Sequence, residues 1–206
     1  MSTENYIISN CVISNNIVIK NNEQLFSVDT DSIQSFLLST YQYLKIDYPK
    51  FYKMDNLSKL GFLASEVLLK DENIKDIDQG KVGIVLTNAN SSLDADEKYF
   101  QSIKEMASPA LFVYTLPNIV MGEICIRNKF KGENAFFVFD TFNAKFLAQY
   151  VGELFNNNIV QLCIAGWVDV LDENYKAVLF LISNNKAENA LLCNEDNMNT
   201  IFKISE

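Results

Sequence analysis

The residues best placed for chemistry are Asp140, Thr141, Phe142 and Asn143. They follow the apolar run 135–139, which reads as a strand covered on both faces. From Phe142 on, Phe142, Phe146, Leu147, Tyr150, Val151, Leu154 and Phe155 fall on the stripe of an amphipathic helix. A strand, a sharp corner and a helix set free backbone N–H groups and a partial positive charge at the corner. Such a place favours a thiolate or an oxyanion. Here it holds Phe142 and Asn143, neither of them a nucleophile, while Asp140 and Thr141 have the short side chains of helix caps.

The rest of the chain supplies no obvious substitute. It has no histidine, which removes Ser-His-Asp and Cys-His arrangements and imidazole metal sites. Cys11, Cys125, Cys163 and Cys193 lie far apart without a CxxC pair, and read as reduced core thiols. Asp94 and Asp96 read as a solvated helix face, and Lys45, Lys50 and Lys53 as a small basic patch. With no GxGxxG or GxxxxGK, nothing cradles a nucleotide phosphate, and no cofactor is expected. A net charge of −9 argues against nucleic acid and anionic membrane as partners. No apolar run approaches the roughly 20 residues of a spanning helix. No signal-peptide pattern opens the chain, so a cytoplasmic location is expected.

Around the corner, strands are expected near 6–19, at 82–87, 135–139, 159–170 and 176–183. Asp29 or Thr30 is expected to cap a helix that Pro49 stops, and further helices are expected at 56–70 and 93–106. The segment 119–127 is apolar nearly all round, as in a helix covered from two sides. Gly166 allows close backbone approach, and a short turn joins the last two strands as a hairpin. The expected fold is α/β: a five-stranded mixed sheet, four strands parallel and the last antiparallel, with helices on both faces. Residues 1–206 are expected to form one domain, its core at about 4–183 and a polar extension at 184–206.

Several segments, in this order, resemble the β-ketoacyl-acyl carrier protein synthases of the thiolase superfamily. Lys53-Met54-Asp55 is similar to that family's early K/R-M-D stretch, and Val82-Gly83-Ile84-Val85 to its second strand. Ser108-Pro109, Leu116-Pro117-Asn118, Gly122 to Arg127 and Lys131-Gly132-Glu133-Asn134 resemble its "SP…LPN…G.I.IR…KGPN" block. Asp140-Thr141-Phe142-Asn143-Ala144 falls on its D/S-T-A-C-A nucleophile elbow, and Ala165 to Asp169 on A-G-G-x-E. The resemblance covers the family's first half, over residues 50–183. It places the family's active cysteine at Asn143 and a small residue at Phe142, and the family's two histidines belong to its second half.

Condensation needs a thiolate to carry the acyl chain and imidazoles to support decarboxylation. The resemblance therefore implies a degenerate, non-catalytic subunit, like a chain length factor. Such a subunit pairs with an active full-length ketosynthase in bacterial fatty acid, polyketide or polyene pigment biosynthesis. The family's dimer surface would fall on Ile119, Val120, Ile124, Ile126, Phe137 and Phe139. An acidic carrier protein would dock mainly on the partner, or else at Lys50 and Lys53. The alternatives are a homodimeric acyl-binding or scaffold module, and a stand-alone acyl-thioester enzyme using Cys125 or Cys163.

Overall fold

The structure is a computed structural model that describes residues 4–74 and 76–204. Its centre is β4 (Val82–Asn88), buried at every residue. The cause is its place between two parallel neighbours, β5 (Asn134–Val138) on one side and β6 (Leu162–Leu171) on the other. A tight turn sends β6 back as β7 (Asn174–Ser183), and β1 (Tyr6–Ser14) lies antiparallel to β7. The central order is β1-β7-β6-β4-β5, with β7 alone reversed. That is the expected pattern of four strands in one direction and one against them.

The sheet nevertheless has eight strands, not five. β2 (Ile17–Lys20) and β3 (Glu23–Ser27) extend it beyond β1, and β8 (Leu191–Leu192) pairs with the start of β1. The reason lies in two asparagine pairs. Asn15 and Asn16 take φ of 50° and 61°, Asn21 and Asn22 φ of 49° and 68°. Two-residue hairpin turns of the I′ type need positive φ at both positions, and asparagine tolerates it. Residues that look like polar interruptions are the turns of a three-stranded meander.

One face of the sheet carries α1 (Ile33–Tyr43), α2 (Asn56–Leu69) and α5 (Ile119–Asn128), which share the larger apolar core. Ser32 caps α1, its Oγ accepting from Ser35 N at 3.4 Å; Asp29 and Thr30, expected there, lie further upstream. Asp55 caps α2 through Ser58 N at 3.0 Å. α5 packs closely on α2: a Cβ at Gly61 would lie 2.3 Å from Val120 Cγ2. That packing turns Val120 and Ile124 inward, both fully buried in the chain's own core. They are not surface residues, contrary to their expected place on a dimer face; the apolar residues of α5 left outward are Ile126 and, in part, Ile119.

The opposite face carries α6 (Ala144–Asn156) and α7 (Glu195–Phe202) over a second core. α7 lies in the segment expected to be a polar extension. It is amphipathic, and Met198 and Ile201 are buried. The more exposed α3 (Leu93–Ser102) is shorter than expected, and α4 (Pro109–Val113) follows it.

Candidate functional site

β4, β5 and β6 run in one direction, and the corner of residues 139–143 joins the end of β5 to α6. Phe139 N donates to Asn88 O at 2.9 Å, fixing where β5 leaves the sheet. α6 does not begin at Asp140 or Thr141, both exposed and outside it. Its cap is Asn143, whose Oδ1 accepts from Phe146 N at 2.9 Å. The Asn143 carboxamide therefore satisfies one of the helix's own orphan N–H groups. Phe142 also lies ahead of the helix and not on its stripe.

Phe142 turns to other rings. It stacks on Phe202 of α7 with centroids 4.3 Å apart and planes within 4°. Trp167 of β6 stands edge-on to both, at 6.2 Å from Phe142 and 6.1 Å from Phe202. Lys176 Nζ lies over the Phe202 ring, 4.0 Å from its centroid. A cavity of about 610 Å³ opens beside this group, with Ile33, Asp140, Asp169 and Tyr175 in its walls. A smaller space of about 260 Å³, walled by Asn143, Glu195 and Asn199, lies at the head of α6. Asp140, Thr141 and Phe142 line both.

The strand behind the site is tightly held. A Cβ at Gly166 would lie 2.0 Å from Val178 O, so the close approach expected there is real. Thr87 Oγ1 donates to Gly166 O at 2.9 Å. Asp169 accepts from Ala89 N, Asn90 N and Asn90 Nδ2 at 3.2, 3.0 and 2.7 Å, and pins the loop after β4. Its carboxylate is thus occupied by the fold.

No thiol enters the site's walls. Cys11 and Cys163 are fully buried, and burial raises both thiols well above the ordinary range. Cys193 is pushed up to about 12 by burial. Cys125 is also raised by burial, though the amide oxygen of Asn134 opposes the shift. All four are poor nucleophiles near neutral pH. Among the described residues no cluster of histidine, cysteine or carboxylate could hold a metal ion. No helix among them is long and apolar enough to cross a membrane.

The basic patch is not one surface. Lys50 Nζ lies 2.7 Å from Glu123 Oε2, a carboxylate only 4% exposed, and Tyr114 OH donates to Glu123 Oε1 at 3.3 Å. Lys50 neutralises that buried charge, while Lys45 lies in a groove beside Glu66 and Arg127, and Lys53 is exposed. Of the expected dimer residues, Phe137 and Phe139 are half-buried against Phe146 of their own α6. β5 packs Phe136 on the larger core and Ala135 and Phe137 on the second, so both its faces are covered in part, but it is an edge strand of the sheet. Its Val138 is 52% exposed, close in the sequence to Phe137 and Phe139.

Two features escaped sequence reasoning. Phe202 lies in an Asn-rich stretch; the signal was the spacing of Met198, Ile201 and Phe202. Phe100, Ile103, Met106, Phe112, Val113 and Leu116 are exposed along α3, α4 and their flanks, where the helix reads as merely polar.

No family model matches the chain, and no curated protein matches it. Solved structures do. The ishigamide ketosynthase/chain length factor aligns with a TM-score of 0.66 at 15% identity, covering 92% of this chain and 64% of that one. A β-ketoacyl synthase from Burkholderia phymatum gives 0.60 at 12% identity, covering 92% and 62%. The ketosynthase ApeO in complex with its chain length factor ApeC, from Xenorhabdus doucetiae, gives 0.55 at 14%, covering 90% and 80%. The chain thus spans under two thirds of the length of the first of these. What they share with it, nearly end to end, is the thiolase-type fold of ketosynthases and chain length factors.

Proposed function

We propose that this chain is a non-catalytic, ketosynthase-like subunit that pairs with an active full-length ketosynthase in bacterial acyl-chain biosynthesis, of the fatty acid, polyketide or polyene kind. The observation that carries the reading is the fate of the nucleophile's place. Asn143 stands there as the cap of α6, and a carboxamide forms no thioester. No imidazole is available from this chain to move a proton or stabilise a carbanion.

The pairing surface is the open side of β5 together with Val138 and Ile126, the latter 62% exposed. An unpaired edge is a template for a strand from another chain. Its apolar residues bring burial as a second source of affinity. The acidic carrier protein docks on the partner, because a chain of net charge −9 repels it and Lys50 is committed to Glu123.

Co-expression with a full-length ketosynthase from the same gene neighbourhood, followed by size exclusion, tests the proposal. A one-to-one complex is expected, with turnover that depends on the partner's cysteine. Separate elution under all salt conditions, or condensation by this chain alone, contradicts it. The same open edge also suits a second copy of this chain, and a stable homodimer that ignores ketosynthases would favour the scaffold reading.

A further inference from the structure

We propose that α7 is a built-in stopper: Phe202, held between Phe142 and Lys176, walls the cavity before α6 and keeps apolar acyl groups off the face of Phe142, and its withdrawal enlarges that cavity. The acyl class rests on the ketosynthase-like reading; the stopper rests on geometry alone.

The ring of Phe202 occupies the place a ligand would take. One face lies parallel to Phe142 at 4.3 Å. With that face covered, the Lys176 ammonium at 4.0 Å from the centroid covers the other. Trp167 closes the edge. Spaces of about 610 Å³ and 260 Å³ lie on either side of the corner and share Asp140, Thr141 and Phe142. Moving the Phe202 ring aside leaves Phe142 and Trp167 as an apolar wall, backed by Phe180 at 6.3 Å from Phe142.

The element that carries the ring is suited to move. α7 has eight residues and holds to the body by Met198 and Ile201. β8, just before it, has two residues in the sheet. A stack and a cation over a ring are each weak contacts. Short elements with few buried side chains open at low free-energy cost.

The chemistry of the opened space selects a neutral head with an apolar tail. Asp31, Asp140, Asp169 and Glu173 line the larger cavity against one ammonium, that of Lys176, and Asp140 also lines the smaller one. A free carboxylate is repelled there, whereas a thioester carries no charge.

Trp167 is the chain's only tryptophan and touches the stack, so its fluorescence reports the site. The probes are the decanoyl thioester of N-acetylcysteamine and free decanoate. Phe202→Ala should bind the thioester at least tenfold more tightly than the native chain, about 1.4 kcal/mol. Phe202→Leu, which keeps apolar bulk and so protects the fold, should gain less. Lys176→Met, which frees the ring's outer face, should also gain. Equal affinity of the native chain and all three variants overturns the stopper. Decanoate binding as tightly as the thioester overturns the ligand class. Native pairing with a ketosynthase that survives in Phe202→Ala separates this test from that of the pairing: either can fail while the other holds.

Discussion

The two edges of the sheet are built differently. β3, at one end, is short and opens on Glu23 and Gln24, and its pairing with β2 is broken by a register shift between Val18 and Ile19. Polar residues and an irregular ladder are how an edge avoids joining another sheet. β5, at the other end, pairs with β4 in unbroken register and reads Asn-Ala-Phe-Phe-Val. Ile126 is exposed on α5 and Val138 on β5 itself. One edge is guarded and the other is left open and apolar, and an open apolar edge in a natural protein marks a partner surface. The difference gives the pairing proposal a direction.

Five substitutions break or sharpen that contrast. The largest effect falls on a residue expected at the interface and found in the core. Ile124→Ala should lower stability by about 2–5 kcal/mol through a cavity, read by urea unfolding. If it instead leaves stability intact and abolishes pairing, α5 is turned outward and the contrast fails. Next, Val138→Lys on the open edge should weaken the ketosynthase complex at least tenfold, roughly 1.4 kcal/mol, with an unchanged unfolding midpoint. The matched change Gln24→Lys, at an exposed position of the guarded edge, should leave pairing alone. Equal loss from both variants would mean that the edges are not distinguished.

Smaller effects concern two helix heads. Asn143→Ala removes the cap of α6 and should cost about 1 kcal/mol, with no loss of any activity of the complex. A drop in turnover at unchanged stability would assign Asn143 a role beyond capping. Asp55 caps α2 in the same way, but burial, the largest cause, raises its carboxyl above the usual range, and Asp94 adds to the shift. An acid whose folded value is raised makes the fold less stable as pH climbs from its ordinary value through its raised one. Asp55→Asn keeps the capping oxygen and removes that charge. Its stability should change by less than about 1 kcal/mol, with a flatter pH profile above pH ~4. A steeper profile would contradict the assignment.

Much of the fold is legible in the chain because periodicity reports burial. Val82 to Thr87 reads as a covered strand and is one, and the hairpin between β6 and β7 follows from its turn. The direction of the central strands is legible too. The meander is not, because Asn15-Asn16 and Asn21-Asn22 look polar whether they form loops or tight turns. The run before Asp140 reads as covered on both faces and packs on both cores, but its composition does not say that it lies at the sheet's edge. Val120 and Ile124 mislead through the all-round apolar pattern of α5, which cannot say which side meets α2. At the site, the carboxamide of Asn143 is plain in the sequence. The ring that fills its approach is not, since Phe202 meets Phe142 only through the fold, sixty residues away.

Intact-protein mass spectrometry of the co-purified complex, after incubation with an acyl thioester, tests the central claim most directly. The account predicts one acyl adduct on the ketosynthase partner and an unmodified mass for this chain. An acyl adduct on Cys11, Cys125, Cys163 or Cys193 of this chain, kept through turnover, would contradict it.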